Sequence, residues 1–460
     1  MTHLSEPVAI SRKIAQFAIR TPAQNLPRPA LNIARLSLVD WLAVAAAGHN
    51  EPVSQAVRSL VASEAGSAEA SIIGLGGKFP ARAAALANGT TSHALDYDDT
   101  HFAYLGHPSV AVLPSALAIA QKTNASGDNF LNAALVGMEI TCRIGTWLGK
   151  QHHQKGFHAT ATIGCFGAAM AAARLLNLNE DQTLSALGLA ATRASGVRAH
   201  FGTMGKPYHA GMAASNGVEA ALLANAGLVG RPDAFEAENG FAATHGGDGN
   251  GNGNGNGNGK SEGSALQLFS AKQPFMFEEV LHKFHACCHG IHAALEALLL
   301  LQEAQSIMPH EVRRVVISTP PRYLDICDIR EPTSGLEAKF SYRLSAAMAL
   351  AGHDTAALST FSDSACSNPL LISLRDRVQV ESDPTLPDTA ARVRITTQDN
   401  TEFNAHCDMA LPLMYAEREA KIRNKTRALL GKAPASTLWK AAEVPEITRI
   451  ENWMRETICQ

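Results

Sequence analysis

Four segments of this chain gather titratable side chains within small and apolar surroundings. The first reads Leu95-Asp96-Tyr97-Asp98-Asp99-Thr100-His101 and continues Gly106-His107-Pro108-Ser109. Three carboxylates stand there beside two histidines, and a carboxylate can orient an imidazole and raise its basicity for acid–base work. A capped, solvated loop would have the same composition. The second, Gly156-Phe157-His158-Ala159-Thr160-Ala161-Thr162, sets a histidine just before a small-residue helix. A helix N-terminus disfavours the imidazolium, which suits a neutral base or an anion site. A capping histidine fits that spacing equally well. The third, Phe201-Gly202-Thr203-Met204-Gly205-Lys206-Pro207-Tyr208-His209, holds a lysine between glycine and proline. Such a lysine can grip a carboxylate, act as a base if desolvated, or lie in solvent. The fourth, Lys283-Phe284-His285-Ala286-Cys287-Cys288-His289-Gly290-Ile291-His292, puts three histidines on one helical face. That face superficially looks like a zinc cluster. No HExxH accompanies it, so no metal is expected. No GxGxxG after a strand, no GxxxxGK[ST] and no GxSxG occurs either, which removes the best support for nucleotide-binding and serine-hydrolase readings.

The elements that must hold these segments are mostly helices. Apolar spacing predicts helices over 30–47, 81–95, 110–121, 130–144, 160–176, 183–193 and 210–228. Residues 246–259 read GGDGNGNGNGNGNG, which has no apolar side chain to bury and reads as an inert flexible loop. The character then changes. Helices are predicted over 286–301 and 337–351, with strands at 312–318, 377–381, 391–397 and 402–407, the last two joined as a hairpin by Gln398-Asp399-Asn400. Helices return at 415–430 and 446–457. The expected class is mainly α. A large all-helical domain is formed by both chain ends (1–266 and 409–460), and a smaller α+β lid domain (267–408) is inserted between them.

Composition fits a globular protein with a real core. The chain has 460 residues, 46% hydrophobic and 18% charged, enough for a core in two or three domains. A net charge of −3 argues against a nucleic-acid partner. The N-terminus lacks a basic region followed by an apolar run, and no stretch of about 18 uninterrupted apolar residues occurs, so neither a signal peptide nor a membrane partner is expected. The eight cysteines form no CxxC pair and read as reduced thiols of a cytoplasmic protein.

Taken in order, these segments resemble the MmgE/PrpD family. The resemblance runs from about residue 8 to about 455 and rests on AALANGTTSHALDYDDT (84–100), GHPSVAVLPSALA (106–118), GFHATATIGCFGAAMAAARLLNL (156–178), GKPYHAGMAASNGVEAALLANAGL (205–228), KFHACCHGIHAALEAL (283–298) and AKFSYRLSAAMAL (338–350). It implies a homodimer, no metal or organic cofactor, and a small polycarboxylate substrate. Family reactions include dehydration of 2-methylcitrate, decarboxylation of cis-aconitate and epimerisation of iminodisuccinate. The expected reaction is the epimerisation, by proton abstraction and return at a carbon α to a carboxylate; a dehydratase or decarboxylase-type lyase is the alternative. By the family pattern the site positions are Asp96, Thr100, His107, His158, Lys206 and His292. His158 and Lys206 are the expected two faces of proton exchange, with Asp96 orienting a histidine. Thr100 and His107 hold substrate carboxylate, and His292 completes the site from the lid. Arg143, Arg193 and Arg198 are further carboxylate-binding candidates, since arginine grips carboxylate bidentately, although a surface or inter-helix ion pair fits each of them at least as well; Tyr208, beside Lys206, joins the expected substrate contacts.

Overall fold

A computed structural model describes residues 10–64, 66–246, 269, 273–443 and 446–458. Beyond Gly246, the glycine–asparagine tract lies outside the described residues. The chain forms two compact units, Met1–His282 with Ala433–Gln460, and Lys283–Lys432. The second unit thus begins and ends later than the expected 267–408. At its start, Met276 and Phe277 give their backbone N–H groups to Glu139, and Thr100 and Leu281 exchange backbone hydrogen bonds, so this stretch belongs to the first unit. At its end, Lys421 reaches Glu296 within the second unit (2.7 Å) and carries its helix with it.

The first unit is built from α1 (Ile10–Arg20), α2 (Arg28–Ala47), α3 (Pro52–Glu64), α4 (Ala81–His93), α5 (Ser109–Thr123), α6 (Gly127–Gln154), α7 (Ala159–Thr162), α8 (Gly164–Leu175), α9 (Glu180–Arg193), α10 (Gly205–Asn225) and α11 (Phe241–His245), with the helices Lys432–Glu443 and Ile447–Ile458 from the chain's end. Where one helix is predicted over 160–176, the chain turns at Ile163 between α7 and α8. The unit is not all helical: β1 (Ala70–Ile72) and β2 (Leu75–Phe79) form an antiparallel hairpin, turned by Gly74 at φ 77°. Its Ser71 N–H and Ile73 N–H are taken up by the side chains of Gln121 and Asn88.

Small residues set the helix crossings. A methyl at Gly89 of α4 would come within 2.8 Å of the Gly211 Cα on α10. Those two helices therefore touch backbone to backbone, which brings the C-terminal end of α4, with His93, to the N-terminal end of α10, with Lys206 and His209. Caps fix the ends: Asn179 and Gln182 form a reciprocal capping box on α9. Among the described residues, α2 is long and apolar enough to cross a membrane, yet most of it is buried within the unit, including Trp41 and Asp40.

The second unit carries a four-stranded sheet in the order β4-β3-β5-β6, with β3 (Val312–Thr319), β4 (Val378–Ser382), β5 (Ala390–Thr397) and β6 (Glu402–Asp408). β3 pairs β4 in parallel and β5 antiparallel; β5 and β6 form the expected hairpin, with Asn400 left-handed at its turn (φ 67°). On β5, Val393 and Ile395 are buried and Arg392 and Arg394 exposed, the alternation of a half-covered sheet. The His289–Gln305 helix packs on β5 and β6. The helix predicted over 337–351 is divided by Ser341, which caps Tyr342–Leu350 through the Leu344 N–H. The seven described cysteines are free thiols.

Candidate active site

The site in the first unit is assembled at the facing ends of α4, α7 and α10. The chain leaves α4 through Ala94 and turns at Asp96, whose φ of 50° puts a non-glycine residue in left-handed backbone. That strained turn sends the following carboxylates in different directions. Asp96 stays half exposed and its Oδ2 lies 2.6 Å from Lys206 Nζ. A lysine in the first turn of α10 works against the helix dipole, and the Asp96 carboxylate offsets this. The Lys206 ammonium also lies 5.4 Å from the centre of the Phe201 ring.

Asp98 is wholly buried between two histidines. His93 donates Nδ1–H to Asp98 Oδ1 at 2.8 Å, and His107 Nδ1 lies 2.7 Å from Asp98 Oδ2. Burial alone would raise the Asp98 carboxyl, but the imidazoles hold it well below the usual range. Burial also pulls the His107 imidazole down to about 4, against the upward pull of Asp98. A neutral imidazole with its Nδ1 turned to a carboxylate leaves Nε2 to work elsewhere, and His107 Nε2 lies 3.7 Å from Asp96 Oδ1. The His107 backbone N–H is anchored on Thr160 Oγ1 of α7 (3.1 Å), which ties this loop to the segment of His158.

Asp99 faces away, accepting from the Ser109 hydroxyl and backbone N–H. Burial, together with the charges of Asp98 and Asp40, pushes it up to about 7 despite those hydrogen bonds.

His158 caps α7. Its backbone N–H bonds to Gly196 O, and Phe157 bridges Val197, so the 156–158 and 196–198 strips hold each other. Gly196 sits at φ 142°, with a methyl there only 2.6 Å from the Ala161 Cβ. The His158 ring is buried and stacks 6.2 Å from His93, edge-on to Phe201 at 5.0 Å. Its Nδ1 lies 3.1 Å from His209 Nδ1. Burial first, then the neighbouring His93, Lys206 and His107, hold the His158 imidazole well below its ordinary value.

Of the sequence-expected positions, Asp96, His107, His158 and Lys206 thus meet in one cluster. Thr100, four residues after Asp96, exchanges backbone hydrogen bonds with Leu281. Arg143, Arg193, Arg198 and Tyr208 lie elsewhere in the first unit. Arg143 is buried in α6, bonded to Glu139 of the same helix and packed 4.8 Å from the Phe17 ring centre; it is a core ion pair rather than an open carboxylate grip. Arg193 bonds Asn216 (2.8 Å), and with Tyr208 and Arg82 it lines a separate surface pocket of about 240 Å³. Arg198 binds the His153 carbonyl and, through its backbone, Gly156 O. His292 belongs to the second unit, where it is buried beside the rings of His285 (4.9 Å) and His289 (4.7 Å). His285 precedes the helix there, bonds Thr355 and lies 3.2 Å from Glu296.

Sequence reasoning missed His93, Asp98 as the central carboxylate, and His209. Signals for them existed: His209 follows Lys206 by three helical positions, and His93 stands one turn before the acidic loop. Among the described residues, the ligand atoms close enough to share a cation, within 4.8 Å of one another, belong to His93, Asp96, Asp98 and His107 and not to the 285–292 histidines. Their present partners use these atoms otherwise, Asp98 taking two imidazoles and Asp96 the Lys206 ammonium. The arrangement is that of a hydrogen-bonded acid–base cluster with one fixed cation.

Comparison with known proteins shows the family. Residues 12–251 match the MmgE/PrpD N-terminal domain and residues 285–444 the MmgE/PrpD C-terminal domain. The chain belongs to the MmgE/PrpD family. The cis-aconitate decarboxylase-like protein oryM of Aspergillus oryzae is 30% identical over 327 residues, 67% of this chain and 66% of that protein. The human cis-aconitate decarboxylase is 28% identical over 370 residues, 77% and 74% of the two chains. The Aspergillus terreus cis-aconitate decarboxylase is 29% identical over 317 residues, 64% and 60%. In this MmgE/PrpD member the buried His–Asp–His set lies wholly within the stretch matching the N-terminal domain. The second-unit histidines fall in the stretch matching the C-terminal domain.

Proposed function

We propose that this MmgE/PrpD protein is a cofactor-independent lyase that decarboxylates a small unsaturated polycarboxylate of the cis-aconitate type. The observation that carries the reading is the cluster itself: a fixed ammonium, Lys206, beside buried neutral imidazoles, with His158 at the N-terminus of α7. Loss of CO₂ leaves the bonding electron pair on the substrate carbon skeleton. An adjacent double bond and carboxylate can delocalise that pair until a proton quenches it. The chemistry therefore needs a cation to hold the remaining carboxylates and a positioned acid to supply one proton; a positioned acid is worth roughly 10²- to 10⁴-fold in rate. Lys206 supplies the first and His158 the second. Asp98 orients His93 and His107, and Asp96 positions Lys206.

The same groups could exchange an α-proton, as the expected iminodisuccinate epimerisation requires. The names of the similar proteins shift the weight to decarboxylation, which the sequence analysis held as the alternative. Proton NMR of the purified protein in D₂O with cis-aconitate, and in parallel with iminodisuccinate and 2-methylcitrate, tests this. The expected result is CO₂ release and a product carrying one deuterium per turnover from cis-aconitate. Turnover of iminodisuccinate to a second diastereomer with cis-aconitate untouched would overturn it. Lys206→Ala and His158→Ala should each remove most turnover while leaving the fold intact.

A further inference from the structure

His209 takes no part in the proposed decarboxylation, yet among the described residues it is the side chain hydrogen-bonded to the His158 ring. The two Nδ1 atoms lie 3.1 Å apart, and both rings are buried. A hydrogen bond between two Nδ1 atoms holds one proton: two protons would collide, and none would leave two lone pairs facing. The rings must therefore adopt complementary tautomers, one protonated at Nδ1 and the other at Nε2. Burial favours the neutral form of both, holding His158 low and His209 at about 4, with His200 and His93 adding to the effect on His209. The groups facing the pair are His93 from α4, His107 from its loop, Lys206 and Phe201 from the α10 entry, and His200 against the far side of His209 (5.3 Å between rings). His200 is exposed, so His209 stands between the His158 ring and a solvent-facing imidazole.

We infer that His209 is a positioning residue that sets the tautomer of His158 and relays its proton. In the resting pair His209 donates Nδ1–H to His158 Nδ1, so His158 carries its own proton on Nε2. When His158 gives the Nε2 proton to substrate carbon, its Nδ1 takes the His209 Nδ1 proton. His209 Nε2 takes one proton from the solvent side. One proton passes from solvent to substrate, both rings end neutral, and their tautomers are exchanged. Because the relay crosses a buried pair, no imidazolate or lasting imidazolium forms. The direction of transfer rests on the decarboxylase reading; the complementary tautomers rest on geometry alone.

The test uses the full-length protein labelled with ¹⁵N-histidine and long-range ¹H–¹⁵N correlation at pH 7, read beside steady-state kinetics. Expected are opposite neutral tautomers for His158 and His209. His209→Phe, which keeps ring bulk, should free the His158 tautomer and lower kcat about 10- to 100-fold with KM within about twofold. His209→Asn keeps an amide near the Nδ1 position and should recover part of kcat. Identical tautomers, or charged rings, in the wild type would overturn the inference even if His209→Phe failed to fold. So would a folded His209→Phe protein with wild-type kcat and pH profile, or equal losses in the Phe and Asn variants. A wild-type protein inactive on cis-aconitate but showing complementary tautomers would sink the decarboxylase reading and keep the tautomer assignment.

Discussion

Replacing Asp98 by asparagine tests whether the cluster works through a buried carboxylate. The wild-type carboxylate accepts Nδ1–H from His93 at 2.8 Å and lies 2.7 Å from His107 Nδ1. Asparagine has nearly the same shape, but one of its two ends donates. It can accept from one imidazole and must donate to the other, which forces that ring into the opposite tautomer. Stability should move little. A hydrogen bond to a charged acceptor is worth about 1.5–3 kcal/mol, and the variant regains part of this by no longer burying a charge. The net change should be within about 2 kcal/mol, read as the shift in a denaturant midpoint at constant slope. Activity should suffer far more. A wrong tautomer at a catalytic imidazole costs up to roughly 10⁴-fold in a hydrolase triad, so a fall in kcat of about 10²- to 10⁴-fold is expected. Steady-state kinetics on cis-aconitate from pH 5.5 to 8.5 is the assay. A folded Asp98→Asn protein with kcat within about threefold of wild type and an unchanged pH profile would refute the assigned role of Asp98.

Other consequences follow from the same geometry. Asp99 titrates near 7 when folded against 3.8 when unfolded, so the folded state binds more protons between those values and stability falls as pH rises through that window. From pH 6 to 8 this amounts to about 1.4 kcal/mol, which Asp99→Asn should abolish in denaturant titrations at the two pH values. Arg143→Met leaves Glu139 buried without its partner and should destabilise by about 3–5 kcal/mol, with Glu139→Gln restoring part; a loss of substrate affinity without loss of stability would return Arg143 to the substrate contacts. Tricarballylate, a saturated tricarboxylate, should bind more tightly as pH falls from 8 to 6 and take up protons as it binds, measured by calorimetry in buffers of different ionisation enthalpy.

Much of this was legible in the residues. The 415–430 helix and the 391–407 hairpin follow directly from period and turn chemistry, and His158, Lys206, Asp96 and His107 do meet. What escaped were relations that cross the sequence. Gly89 and Gly211 lie 122 residues apart in sequence, and only in three dimensions do they form the contact that brings the His93 end of α4 to the Lys206 end of α10. Asp96, Asp98 and Asp99 are alike on paper. Backbone direction gives one to an ammonium, one to two imidazoles and one to a serine. Arg143 fits a carboxylate grip or an ion pair by sequence, and the partner that decides for the ion pair is Glu139, one helical turn away. Residues 276–281 read as part of the inserted domain because no local pattern reveals that their N–H groups end on Glu139.

Charge decides how so acidic a cluster could take the acidic substrate proposed for it. Asp96 and Asp98 bring two negative charges and Lys206 one positive, while burial keeps His107 and His158 neutral in the free protein. A polycarboxylate arriving there meets no surplus of fixed cations. It does meet imidazoles whose neutrality is imposed by burial and by positive neighbours. A carboxylate about 5 Å away at an effective dielectric near 20 favours an imidazolium by roughly 3 kcal/mol, or about two pKa units. Two such groups would carry a strongly depressed histidine back to the neutral range. The substrate thus turns His107 into a cation that helps to bind it, while His158, paired with His209, stays neutral and supplies its proton through the relay; a site with permanently charged histidines would lose that coupling. Calorimetry showing no proton uptake on binding would mean that the cation comes from elsewhere, and His107 would lose its role in holding the substrate.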